Sequence, residues 1–382
     1  MESLSRTFFN TFKEEAEATY SCGGRFEILG NHTDHNHGCC LAATCSLAIT
    51  AAIKKCDNNI VSIYSKGYET SVINLNSLEM YENEKESSSG LVRGIAKYLL
   101  DHGYKIGGFE MVSESTIFPG AGVSSSAAFE LLIAQLFNDL YNEGKIEKMV
   151  LCKAGQWAEN VYFGKKSGLL DQIGVAYGNI VAIDFKDIEK PIVKEVEFPF
   201  DDLHFVIVNT GGSHAELSDL YSSIPMDMRN AANKMGCDYL IEGSLDKLVN
   251  SKSLLTDSEF DRSLHFYFEN ERVNRALLAI ENKEENAFLA AVNGSRESST
   301  KLLKNMMVGN HYEGSPLEAT DIAMRLMHGE GAAKINGGGF AGSIICVVPE
   351  KRLSELLNGM KEKYGSHNVQ EVFVRKTGPV KE

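Results

Sequence analysis

Several things are scarce or missing in this chain, and each absence narrows what it can be. Only 7 prolines occur in 382 residues, and no low-complexity tract is present, which excludes a generally disordered chain. Basic residues are outnumbered, 38 Lys and Arg against 52 Asp and Glu, for a formal net charge of −14. An acidic balance argues against non-specific nucleic-acid binding, which needs basic patches to displace counterions. It leaves a local pocket for an anionic small ligand open. The first twenty residues, Met1 to Tyr20, mix acids and bases without an apolar core, so no secretory signal is expected. The longest stretch free of ionisable side chains other than cysteine, Gly38 to Ile53, falls short of the roughly 20 residues a membrane span needs and reads as a buried strand. The eight cysteines, at 22, 39, 40, 45, 56, 152, 237 and 346, contain no CxxC pair. A paired-CxxC zinc module is therefore absent, and buried thiols of a cytoplasmic protein are expected. No GxxxxGK[ST] phosphate loop occurs, and the GxG at Gly120 and Gly122 lacks its third glycine at Ser125, so the dinucleotide fingerprint fails too.

What is present is a chain long enough for two domains, with 43% hydrophobic residues. Residues 90–102 carry Leu91, Val92, Ile95 and Leu99 at helical spacing and end before Gly103, a C-cap position. Residues 109–112 read as a strand and 127–141 as a buried helix. Strands are expected at 180–185, 205–208 and 343–348, and a charged helical stretch at about 258–291. The polar segment 186–202 places a domain change near residue 200. Strands and helices mix throughout, so the class is α+β or α/β.

Four segments carry chemistry. In 118–128, FPGAGVSSSAA, small residues allow close backbone approach and three serines sit where a helix begins. That arrangement is either a phosphate cradle or an ordinary glycine turn with a capped helix. Residues 24–38, GRFEILGNHTDHNHG, crowd Arg25, His32, Asp34, His35 and His37 beside apolar sequence. Such polar density suits a sugar's ring of hydroxyls; a metal site is conceivable, but the spacing does not suit a helical two-His site. In 167–172, SGLLDQ, Asp171 lies among apolar residues and is either a helix cap or a functional carboxylate. In 334–342, KINGGGFAG, consecutive glycines precede a strand, as a tight turn or as room for a ligand.

Taken in order, these segments resemble the galactokinase branch of the GHMP small-molecule kinases. The signature GRxNxIGEHxDYNxG is matched by residues 24–38, GxGLSSSA by Gly120 to Ala127, GxMDQ by Gly168 to Gln172, and GAGFGG by Gly337 to Gly342. The resemblance implies an α+β fold of two domains. The first, 1–200, is ribosomal-protein-S5-domain-2-like; the second, 201–382, is ferredoxin-like; the active site lies in the cleft between them. It implies ATP and Mg²⁺ as the nucleotide and metal, a small sugar as the other substrate, no nucleic-acid or membrane partner, a cytoplasmic monomer or homodimer, and phosphorylation of the anomeric hydroxyl. Asp171 matches the catalytic aspartate and Arg25 the arginine paired with it. Gly120, Ala121, Gly122, Val123, Ser124, Ser125, Ser126 and Ala127 match the ATP phosphate loop. Ser126 and Glu159, twelve positions before Asp171, match the metal ligands. Asn31, His32, Asp34, His35, Gly168 and Tyr221, the last placed by its distance from His214, match sugar contacts. Gly337, Gly338 and Gly339 match the glycine motif near the cleft.

The chain departs from the pattern at informative places. Asn31 stands where the family has Glu, Glu27 where Asn is usual, His35 where Tyr is usual, and Asn336 and Ala341 alter the last motif. The family glutamate contacts the sugar's C6 hydroxyl, so Asn31 removes a negative charge there and would tolerate a C6 carboxylate. Galactose is the first substrate expected and galacturonate the second, with N-acetylgalactosamine and arabinose behind them. A non-catalytic sugar sensor is the reading from another class; the presence of both Arg25 and Asp171 favours the enzyme.

Overall fold

The structure is a computed structural model and describes residues 3–67, 69–165, 167–211 and 217–382. Among these, twelve strands form two sheets. In chain order they are β1 (Ala18–Leu29), β2 (Cys39–Lys55), β3 (Ile60–Ser65), β4 (Ser71–Asn74), β5 (Phe109–Ser115), β6 (Ile180–Asp184), β7 (Ile192–Val196), β8 (Leu203–Asn209), β9 (Ala332–Asn336), β10 (Ser343–Pro349), β11 (Val369–Val372) and β12 (Val380–Lys381). The first sheet runs β12-β1-β2-β5-β3-β4, with β6 on β2 and β7 on β6. Only the β3–β5 pair is parallel among these. The second sheet is antiparallel, in the order β11-β8-β10-β9. The architecture is mixed α+β.

β2 is the long apolar run of the sequence. Its first residues, Cys39 to Ala43, pair with β6, and its last, Ile49 to Lys55, pair with β5. A strand that serves two neighbours in turn along one edge is buried over most of its length, which is why it reads as a largely apolar run. Helices Ser88–Asp101, Ser125–Tyr141, Lys148–Ala158 and Leu170–Ala176 bury their apolar stripes in one core with this sheet.

The second sheet is covered on both faces, and its strands alternate to match. Phe205, Ile207, Ile345 and Val347 face one core, which they share with Phe26, Leu29 and Leu41 of the first sheet. Val206, Val208, Ile344, Cys346 and Val348 face the other, under helices Pro316–Leu326 and Glu350–Tyr364. The Phe26 and Phe205 rings, 4.8 Å apart, tie the sheets together. The strands pass from one sheet to the other between Val196 and Leu203, and β12 returns to pair with β1. The helical stretch expected at 258–291 is two helices, Asp257–Glu281 and Glu285–Ser298. Lys283, at φ 58°, reverses the chain between them. The first of the two starts with a capping box at Thr256 and Glu259, which shields its exposed amides. No described helix is long and apolar enough to cross a membrane.

Candidate functional site

The segments singled out in the sequence converge. Arg25 sits on β1 beside a break in the β1–β2 register between Gly23 and Arg25. Its amide donates to the Val123 carbonyl at 2.8 Å, so the glycine–serine loop lies directly on the strand. The approach needs glycine at 24, because a Cβ there would overlap the Val123 backbone oxygen. The Arg25 guanidinium then spans two partners. It grips Asp171 Oδ1 through Nε at 2.8 Å and Nη2 at 2.7 Å, and donates through Nη1 to the Gly122 carbonyl at 2.8 Å.

Asp171 lies in the first turn of helix Leu170–Ala176 but does not cap it; Leu169 holds the cap position without a side-chain bond. The helix-cap reading of Asp171 is therefore corrected: its carboxylate is spent on Arg25 and on Ser124, whose hydroxyl donates at 2.5 Å. Burial pushes the Asp171 carboxyl up, but Arg25 and the Ser124 hydroxyl outweigh it and hold the group below the ordinary aspartate range. Ser124 itself sits at the N-cap of helix Ser125–Tyr141 in a left-handed conformation, φ 53°, and its side chain caps nothing. The expectation of a serine-capped helix fails there for the same reason: the hydroxyl is turned to Asp171. No side chain at the N-cap takes up the first-turn amides of that helix, which is the condition an anion site needs.

Next to this pair lies a buried carboxylate. Glu159 ends helix Lys148–Ala158 and opens a π-helical turn, Glu159–Phe163. Its Oε1 accepts from Ser126 Oγ at 3.3 Å and from Lys165 Nζ at 2.9 Å; its Oε2 accepts from Ser167 Oγ at 2.5 Å and from Gln172 Nε2 at 3.3 Å. Gln172 also donates to Glu130, a buried glutamate that burial and the nearby Glu159 push well above the usual carboxylate range. For Lys165, burial pulls its ammonium down, but Glu159 more than offsets this and raises it. Glu159 Oε1 and Ser126 Oγ offer hard oxygen donors side by side, a donor set that fits Mg²⁺.

The remaining predicted residues gather around the turn that contains His32 to His35. Asp34 and His35 lie in the short turn Asp34–Asn36, and His35 Nε2 is 3.6 Å from Asp34 Oδ1. Gly168 faces Asp34 so closely that a Cβ would overlap Asp34 Oδ2. This brings the SGLLDQ and HTDH segments into contact. His32, at φ 57°, donates through Nε2 to the Gly338 carbonyl at 2.8 Å, and its Nδ1 is buried without a partner. Burial, with His35 nearby, pulls its pKa down to about 3, so the ring is neutral at ordinary pH. Tyr221, on helix Ser218–Lys234, packs its ring 5.2 Å from His32 and covers Gly338. His214, from which Tyr221 is placed in the sequence, lies outside the described residues. Gly337 to Gly339 make the turn between β9 and β10, as the tight-turn reading expects, and the carbonyls of Gly337 and Gly338 accept from Asn31 and His32.

Asn31 lies beneath that turn. It is 1% exposed, and its amide is already engaged. Nδ2 donates to the Gly337 carbonyl at 2.7 Å and to Glu27 Oε1 at 3.2 Å, while Oδ1 accepts from Asn305 at 2.9 Å. Glu27 in turn pairs with the fully buried Lys334 at 2.8 Å. Burial pushes the Glu27 carboxyl up, with Lys334 opposing. A neighbouring buried set, Glu269 with Ser295, Arg272 and the amide of Gly30, supports the same turn. Through these bonds Asn31 braces the turn from beneath. Sequence reasoning missed Lys165, Ser167, Lys334 and Asn305. Lys334 carried a signal, a lysine inside an apolar strand, and the Glu27 and Asn31 departures are complementary.

Known proteins resemble this chain in sequence and in fold. A family model described as GHMP kinases N terminal domain matches residues 90–179, and one described as galactokinase galactose-binding signature matches residues 6–55. A galactokinase of Clostridium tetani is 28% identical over 99% of this chain and 94% of its own length, and one of Streptococcus mutans is 28% identical over 95% and 93%. The crystal structure of Lactococcus lactis galactokinase complexed with galactose superposes with a TM-score of 0.84 at 24% identity, covering 99% of this chain and 98% of that one. A mevalonate kinase structure superposes less closely, with a TM-score of 0.65 at 16% identity, covering 94% and 99%. With both family descriptions matched in their proper places, relatives aligned end to end, and the same fold, the chain belongs to the galactokinase family of the GHMP kinases.

Proposed function

We propose that the protein is an ATP-dependent sugar kinase that transfers the γ-phosphoryl group to the anomeric hydroxyl of galactose. The observation that carries this reading is Asp171, a carboxylate held ionised by Arg25 and Ser124 at the mouth of the glycine–serine loop. Phosphoryl transfer asks mainly for positioning and charge neutralisation. The loop from Gly120 to Ala127, with the first-turn amides of its helix, would cradle the triphosphate. Arg25 bridges the loop carbonyl and Asp171, so it fixes one relative to the other. Asp171 would orient the sugar hydroxyl and accept its proton as the new P–O bond forms. Asp34, His35, Gly168 and Tyr221 would line the sugar side, and neutral His32 would present an unprotonated Nδ1 as an acceptor. Glu159 and Ser126 would hold Mg²⁺, which supplies positive charge against the phosphates when bound. The halves 1–200 and 201–382 would form the two walls of this cleft. A cytoplasmic location is supported by eight cysteines that are all free thiols.

The test is ADP release with Mg-ATP across galactose, galacturonate, N-acetylgalactosamine, arabinose and glucose. Turnover highest on galactose is expected. Preference for galacturonate would move the substrate to a uronic acid. Sugar binding without ADP release from any of them would overturn the kinase reading in favour of a sensor.

A further inference from the structure

A buried carboxylate needs positive charge nearby, and Glu159 has one source of it in contact among the described residues. Ser126, Ser167 and Gln172 are neutral; only Lys165 carries charge. The two side chains differ sharply in exposure, 2% for Glu159 and 59% for Lys165. The carboxylate is therefore fixed in place, and the ammonium, on its flexible stem, can swing into solvent. The backbone builds the pairing. The π-helical turn closes with the amides of both Gly164 and Lys165 donating to the Glu159 carbonyl at 3.0 Å, and Gly164, at φ 90°, folds the chain back. Lys165 thereby stands beside the residue six positions before it. Its ammonium takes Glu159 Oε1, the same oxygen that accepts from Ser126.

We infer that Lys165 is a displaceable counter-ion of Glu159, competing with the divalent cation for that carboxylate and so setting how much metal the nucleotide site requires. The inference rests on the proposed role of Glu159 and Ser126 toward Mg²⁺. The ammonium sits on the oxygen the metal would take, and two positive charges at one oxygen repel each other, so metal binding weakens the pair and drives the ammonium outward. A pair with one exposed partner is weak enough to be broken in this way, and its loss corresponds to roughly a fivefold change in affinity.

The experiment is a titration of Mn²⁺ into the full-length protein with excess ADP, following the free Mn²⁺ signal by electron paramagnetic resonance. Wild type, Lys165→Met and Lys165→Arg are compared. Half-saturation in Lys165→Met should fall to about one fifth of the wild-type Mn²⁺ concentration, with Lys165→Arg close to wild type, since it keeps the charge. Unchanged or weaker Mn²⁺ binding in Lys165→Met, with wild-type binding intact, overturns the counter-ion. No Mn²⁺–ADP binding by folded wild type overturns the metal role of Glu159, and the inference with it.

Discussion

Replacing Arg25 by Met removes the one group that joins strand, loop and helix, and the cost can be worked from its contacts. At 2.7 Å and an effective dielectric constant of about 20, the gross attraction between Arg25 and Asp171 is about 6 kcal/mol, most of it offset by desolvation. Removing one partner of a buried pair typically costs about 3–5 kcal/mol, because the other charge is left behind. Asp171 is 25% exposed and keeps the Ser124 hydroxyl, so the lower end, about 3 kcal/mol, is expected. Asp171→Asn should cost about 2 kcal/mol, since Arg25 keeps the Gly122 carbonyl. The double variant should cost clearly less than the sum, a coupling of about 1.5 kcal/mol. The pH dependence has a definite sign. In the wild type the depressed Asp171 pKa contributes stability at neutral pH that is lost as pH falls through the folded-state value. In Arg25→Met, burial is unopposed by the guanidinium and the carboxyl rises above its unfolded value, so the deficit builds as pH rises from about 4. Urea denaturation of the four proteins at several pH values measures all of this. A cost below about 1 kcal/mol, additive single variants, or a deficit flat with pH would refute the reasoning.

Two further expectations concern His32 and Asn31. His32 is buried neutral with a pKa near 3, whereas the unfolded chain protonates it near 6.5, so the unfolded state binds more protons between these values. Stability should therefore fall as pH drops through this window, by on the order of 3 kcal/mol between about pH 6.5 and 4. His32→Gln, which retains a donor for the Gly338 carbonyl, should flatten that slope in denaturant melts; an unchanged slope counts against a buried neutral His32. Asn31→Glu sets a second carboxylate against Glu27 in a buried site and should cost about 3 kcal/mol, while Glu27→Asn strands Lys334. The double exchange, Glu27→Asn with Asn31→Glu, should be more stable than either single variant by thermal shift, and additive losses would show that the two positions act independently.

Much of this arrangement could be read along the chain, and the reason is local. Glycines at 120 and 122, serines at 124 to 126 and the SGLLDQ segment declare themselves because close backbone approach and helix starts are matters of a few consecutive residues. The helix from Ser125 to Tyr141 is legible because burial writes a helical period into its sequence, and β2 because a strand buried over most of its length reads as an apolar run. Pairings between distant residues write no such pattern. The turn of Ser124 toward Asp171 depends on β1 bringing Arg25 beneath the loop, and nothing near Ser124 in sequence announces it. Lys334 reaches Glu27 only because β9 packs against β1. Its partner could be guessed from two odd residues, Glu27 and Asn31, but not which of the two takes the ammonium. The break at Lys283 is hidden because both flanking helices share a polar, charged composition.

The return of β12 to β1 has a consequence for the order in which the molecule is assembled. Tyr20 and Ser21 pair with Lys381 and Val380, so that part of the outer rim of the first sheet is covered only once residues 380 and 381 are made. Contacts between such distant positions are slow to form, and a nascent chain carries β1 with an unpaired rim while the whole second sheet is synthesised. That rim is a template for pairing with other chains. A chain whose β12 cannot pair would therefore keep that part of β1 open to association with other strands.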